Sequence, residues 1–121
     1  MIDLDDPIVD AALPDEMRVC AITLAELAAG PHFSTTGPEA ARRQTRLQQV
    51  EATFETLAFD AAAARSYGQM AAAANVAGRS HRSRIVDLLI AATAHANGLT
   101  LYTRNPDDFV GLEDLLRIVA I

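Results

Sequence analysis

A chain of 121 residues, half of them hydrophobic but only 5% aromatic, suits one domain spanning 1–121 whose core is built of Ala, Leu, Ile and Val. Its net charge of −6 excludes a generic phosphate-binding surface. All ten basic residues are Arg, which excludes a P-loop, a Schiff-base enzyme and a phospho-aspartyl receiver, each of which needs a lysine.

In chain order, the first ten residues carry four Asp and lack the basic-then-apolar form of a signal peptide. No apolar run approaches the roughly 20 residues that span a bilayer, so a cytoplasmic protein without membrane contact is expected. Arg18 to Thr23 is a short apolar run that reads as a buried parallel strand. Its lone Cys20 reads as a buried structural residue, since no second cysteine exists for a disulfide. Thr23 and Glu26 have capping-box spacing for a helix running to Ala29, before Gly30-Pro31. A polar turn, His32 to Gly37, leads to a long helix from Pro38 with Arg42, Arg43 and Arg46 on its wet face.

Thr56 to Phe59 is predicted as a second strand, and Asp60 as the cap of an alanine-rich helix reaching about Ala77, with Gly78 ending it. Arg79 to Arg84 form a basic loop containing His81. A helix from Ser83 to about Ala96 follows, ended by Asn97-Gly98. Strands are predicted at Leu99 to Thr103 and at Arg117 to Ile121. Strands and helices in alternation imply an α/β fold with a parallel β-sheet flanked by α-helices, and such sheets place sites at the carboxyl ends of their strands.

Three segments distant in sequence each put an acid where this topology would gather them: Glu26 after one strand, Asp87 at the opening of an apolar helix, and Asp107 or Asp108 after another strand. Each alone has an ordinary explanation, as a capping box, a helix-dipole partner and a solvated turn. Together they suggest a shared acidic pocket. Like charges so gathered destabilise one another unless a cation joins them. With no lysine in the chain, a hard dication with oxygen ligands is the natural candidate, Mg²⁺ first and Mn²⁺ second. Thr23 and Thr103 are expected to support the site by hydrogen bonds, and Asn105 to orient a water or ligand through its amide. Arg79, Arg82 and Arg84 would hold phosphate oxygens or balance the acidic charge. The histidines stay outside the chemistry because no two share a helix at metal-ligand spacing.

Thr23-Leu24-Ala25-Glu26-Leu27, the run Asp87 to Ala94, and Gly98 to Asn105 continuing through Asp108-Phe109 together resemble the PIN-domain nucleases, and within them the VapC toxins of toxin–antitoxin pairs. The similarity covers nearly the whole chain from Val19 onward. It implies a PIN-like fold and a Mg²⁺-dependent endoribonuclease acting on RNA, held silent by a VapB-like antitoxin and forming a homodimer. Glu26 and Asp87 match the second and third family acids, and Asp108, with Asp107 in reserve, the fourth; Asn105 stands where the family often has Asp. The family's first acid ends an apolar strand. Aligning Asp5 with it leaves few positions before Glu26 for the intervening elements, so the fold is expected to lack its first strand. An impaired domain that only binds antitoxin or RNA, and an RNA-processing nuclease without toxin activity, are the alternatives.

Overall fold

The computed structural model describes Met1 and residues 17–121; the reading placed on Asp5 lies outside them. Two pairs of short parallel strands form. β1 (Arg18–Cys20) runs beside β2 (Glu55–Leu57), with Val19 opposite Thr56. β3 (Leu101–Thr103) runs beside β4 (Ile118–Ala120), with Tyr102 opposite Val119. The helices are α1 (Ala21–Ala29), α2 (Gly37–Thr53), α3 (Ala61–Val76) and α4 (Ile85–Ala96).

One continuous parallel sheet was the expectation; among the described residues no ladder joins β1 to β3. Met1 instead lies along the β3 edge opposite β4. Its amino group donates to the Thr100 carbonyl and its own carbonyl accepts from the Tyr102 amide, both at 2.7 Å. On the other edge, Leu101 N donates to Arg117 O and Ile121 N to Thr103 O. Alternate amides of β3 are thus satisfied on opposite sides, as a buried strand requires.

The start of α1 differs from the capping-box reading. The helix begins at Ala21, and the Cys20 sulfur accepts from the Ile22 amide at 3.4 Å. The apolar run therefore divides after three residues of strand, and Thr23 lies inside the helix instead of capping it. Elsewhere the caps follow the residues that favour them: Thr36 Oγ1 accepts from Glu39 N for α2, and Asp60 Oδ1 from Ala63 N for α3. Past α4, Asn97 is followed by Gly98 at φ 64°, the left-handed conformation that glycine adopts without penalty.

α3 buries Ala63, Ser66, Met70 and Ala74, a helical repeat of mostly small side chains that lets it pack closely on α4. Ser66, early in α3, meets His95, late in α4, with Oγ and Nδ1 2.8 Å apart, so the two form an antiparallel hairpin. α4 buries Leu88 and Ile90 through Ala94 and is the central helix. Around it gather Met70, Leu101, Phe109 and Leu112, with Met17, Val19 and Val50 forming a smaller cluster under α2.

Gly111 locks the segment after β3 onto α3. Its φ is 98°, and a Cβ there would stand 2.6 Å from the Ala77 Cβ and 3.5 Å from the Ala73 carbonyl oxygen. Gly111→Ala should therefore cost about 2–4 kcal/mol, from left-handed strain plus overpacking. Adding Ala77→Gly removes the clash but not the strain, so thermal melts should show the double variant recovering part of the loss. Equal midpoints for Gly111→Ala and the parent would refute this account.

Candidate functional site

α4 opens on Ile85-Val86-Asp87, which puts Asp87 in its first turn, where exposed amide groups and the helix dipole favour a negative charge. Arg84 is the residue just before the helix, three positions ahead of Asp87. Opposite them, β3 ends at Thr103, whose fully buried hydroxyl accepts from the Asn105 amide at 3.0 Å. Asn105 O in turn accepts from Asp108 N at 3.0 Å, within a 3-10 turn over Pro106–Phe109. Phe109 is wholly buried, so the aromatic anchors the turn while the residue before it faces the α4 start.

The two segments meet at Arg84. One guanidinium nitrogen, Nη1, stands 2.9 Å from Asp108 Oδ1 and 3.8 Å from Asp87 Oδ2. The three side chains retain only 32%, 33% and 23% exposure for Arg84, Asp108 and Asp87 respectively. Partial burial strengthens such contacts above a solvated surface pair, and the Asp108 contact is a charge-assisted hydrogen bond. A positive charge does share the acids' space, as the sequence argument required. Here it belongs to an arginine of the chain itself.

The other expected site residues are placed variously. Asp107 is exposed beside its half-buried neighbour. Glu26 is exposed on α1 and lines a separate cleft of about 140 Å³ with Leu27, Gly30, Arg43 and Arg46. Arg43 there donates to the Gly30 carbonyl at 2.9 Å and pairs with Glu39. Among the described residues, no three of His, Cys, Asp and Glu lie close enough together to hold a metal ion. The acidic pair of Asp87 and Asp108 is brought together at Arg84.

The Thr23 hydroxyl is buried with no hydrogen-bond partner among the described residues. Cys20 is buried as expected, and its thiol donates to Thr93 Oγ1 at 3.2 Å, joining β1 to α4. The three arginines of the basic loop separate: Arg82 is exposed, Arg79 is half-buried with Nη1 unpartnered among the described residues, and Arg84 holds the acids. Sequence reasoning gave charge balance as one of two roles for Arg84 but did not name its acid partners, one of which the three-residue spacing from Arg84 to Asp87 signals. A larger cavity of about 240 Å³ lies at the other end of β3, lined by His95, Leu99, Thr100, Leu116 and Arg117 among others, away from the acids.

Oxygen donors fit a hard cation. Asp87 and Asp108 supply the one or two carboxylates with which a protein commonly holds Mg²⁺, the rest of the shell being water and substrate oxygen. That both already converge on a cationic group shows that the space tolerates, and is stabilised by, positive charge.

Residues 4–114 match the family model described as PIN domain. Ribonuclease VapC5 of Mycobacterium tuberculosis is 38% identical over 112 residues, covering 93% of this chain and 80% of that protein. Ribonuclease VapC4 of the same organism is 33% identical over 100 residues, covering 83% and 74%. The crystal structure of VapBC-5 from M. tuberculosis, a member of the VapBC family of toxin–antitoxin systems, superposes with a TM-score of 0.86 at 32% identity, covering 99% of this chain and 96% of that one.

Proposed function

The chain belongs to the PIN-domain family and, within it, to the VapC group, and from that premise we propose that it is a Mg²⁺-dependent endoribonuclease, the toxin of a VapBC-type pair. One observation supports this above the others. Asp87 and Asp108, from segments far apart in the chain, reach the same guanidinium nitrogen at the carboxyl end of β3.

Asp87 and Asp108 would hold the metal, with Glu26 of α1 as a further acid and Asp107 in reserve for Asp108. When bound, the dication supplies a water of lowered pKa and positive charge for the phosphorane-like transition state. The chain's own residues do the positioning. The α4 start presents Asp87 to the site, the Thr103–Asn105 hydrogen bond fixes the turn bearing Asp108, and buried Phe109 holds that turn in register. Arg79, Arg82 and Arg84 bind phosphate oxygens of RNA on the rim of the site. A VapB-like antitoxin covers the acids in the silent complex, and the toxin works as a homodimer. No helix among the described residues is long and apolar enough to cross a membrane.

Incubation of the protein with single-stranded RNA should give cleavage with Mg²⁺ or Mn²⁺ that stops in excess EDTA and returns when the metal is restored. Cleavage undiminished by the chelator would overturn the reading. A second reading, binding of antitoxin or RNA without turnover, is favoured by the absence of a three-acid group among the described residues. It predicts RNA binding and no cleavage in any metal.

A further inference from the structure

The acidic pair carries its own cation. We propose that Arg84 is the resident counter-ion of the metal seat. It holds Asp87 and Asp108 together while the metal is away and must leave at least one of them when a dication enters. This rests on the metal-dependent reading above and names how that site is regulated.

Three features of the site support it. First, both carboxylates address the same nitrogen, Nη1, at 2.9 and 3.8 Å; this is how two anions share one cation, not how two independent surface pairs form. Second, Arg84 is the N-cap residue of α4 and its carbonyl accepts from Leu88 N at 2.9 Å, so its long side chain can swing off the acids by rotamer change alone while Asp87 stays in the first turn. Third, an arginine remains charged at every working pH, so it does not leave the ionised acids by losing its proton, and a competing cation is what displaces it.

Competition of this kind lowers the apparent metal affinity by the free energy of the pairs that must open. It also links two events. The guanidinium displaced by the metal is set free beside the same pocket, where a phosphodiester oxygen is its next partner. Metal entry and phosphate capture then favour each other, and in the absence of metal the pair keeps the acids compensated.

Arg84→Gln and Arg84→Lys separate charge from packing. Titration with Mn²⁺, followed by loss of the free-ion electron paramagnetic resonance signal, should show Arg84→Gln binding about tenfold tighter than the parent, the scale of a partly screened ion pair opened on binding. Arg84→Lys, which keeps the charge, should stay nearer the parent. The metal-free melting midpoint of Arg84→Gln should fall, and saturating Mn²⁺ should restore it. Equal or weaker Mn²⁺ binding by Arg84→Gln, with parent binding intact, overturns this proposal and leaves the nuclease reading standing. No Mn²⁺ binding by the parent overturns both.

Should Arg84→Gln fail to fold, the parent itself decides. The arginine guanidinium N–H signal that disappears in Arg84→Lys should shift as Mg²⁺ is added. A signal that does not move under saturating Mg²⁺ refutes the displacement.

Discussion

Asp87→Asn should lower RNA cleavage by roughly 100-fold or more while moving the thermal midpoint by only about 4 °C. The activity estimate is a lower bound, since even changes to groups that merely orient a metal's ligands cost 10–100-fold. The stability estimate follows from what the carboxylate touches. Asp87 gives α4 a dipole contact and Arg84 a contact at 3.8 Å, each worth about 0.3–1 kcal/mol at partial exposure. Arg84 keeps its shorter bond to Asp108 at 2.9 Å, and the asparagine fills the same volume. A domain of this size loses roughly 4 °C per kcal/mol. Asp108→Asn should match the activity loss, because it removes the other half of the pair. Asp107→Asn, at an exposed position, should cost less than about threefold, as befits a surface substitution. Full activity in Asp87→Asn would reduce that acid to a helix-start residue, and a collapse of the melting transition would show that its role is structural.

The largest effect on stability is expected one residue past the acid. Phe109 is wholly buried, the bulkiest of the fully enclosed side chains, and packs among Met70, Leu88, Leu101 and Leu112. Phe109→Ala removes most of a ring from a close-packed site that cannot collapse around it, at a cost of about 3–5 kcal/mol. That is a large share of the roughly 5–15 kcal/mol by which a domain is stable. Urea denaturation should show a midpoint shifted well down with an unchanged slope, and Phe109→Leu should recover more than half of the loss. Because Phe109 anchors the turn carrying Asp108, cleavage should fall in Phe109→Ala even at temperatures where the variant is fully folded. A midpoint near that of the parent would mean that the turn is not held by its aromatic.

Much of the secondary structure was legible in advance, for reasons that are local. Asp60, Thr36 and Asn97-Gly98 mark helix ends because capping and left-handed backbone depend on a few adjacent residues. The α3 face reads from its own 3.6-residue repeat, and the buried state of Cys20 from its apolar run. The errors fall where local signals compete. Arg18 to Thr23 is apolar throughout, so periodicity could not say where strand gives way to helix, and Thr23 looked like a cap when Cys20 is the cap. Short apolar runs carry that ambiguity intrinsically.

The amino-acid sequence by itself determined that this is a lysine-free, acidic α/β chain of PIN type, with acids placed after strands and a basic loop before Asp87. Those properties are sums over residues or patterns between near neighbours. Only the tertiary structure decided which charges meet. It set Asp108 rather than Asp107 beside Arg84, left Glu26 in another cleft, and split the strands into two pairs with Met1 on the inner edge of β3. The physical reason is range: a cap or a helix face is specified within one turn of chain, whereas an ion pair between residues 84 and 108 depends on how Phe109, α3 and α4 pack, and packing is a property of the whole core.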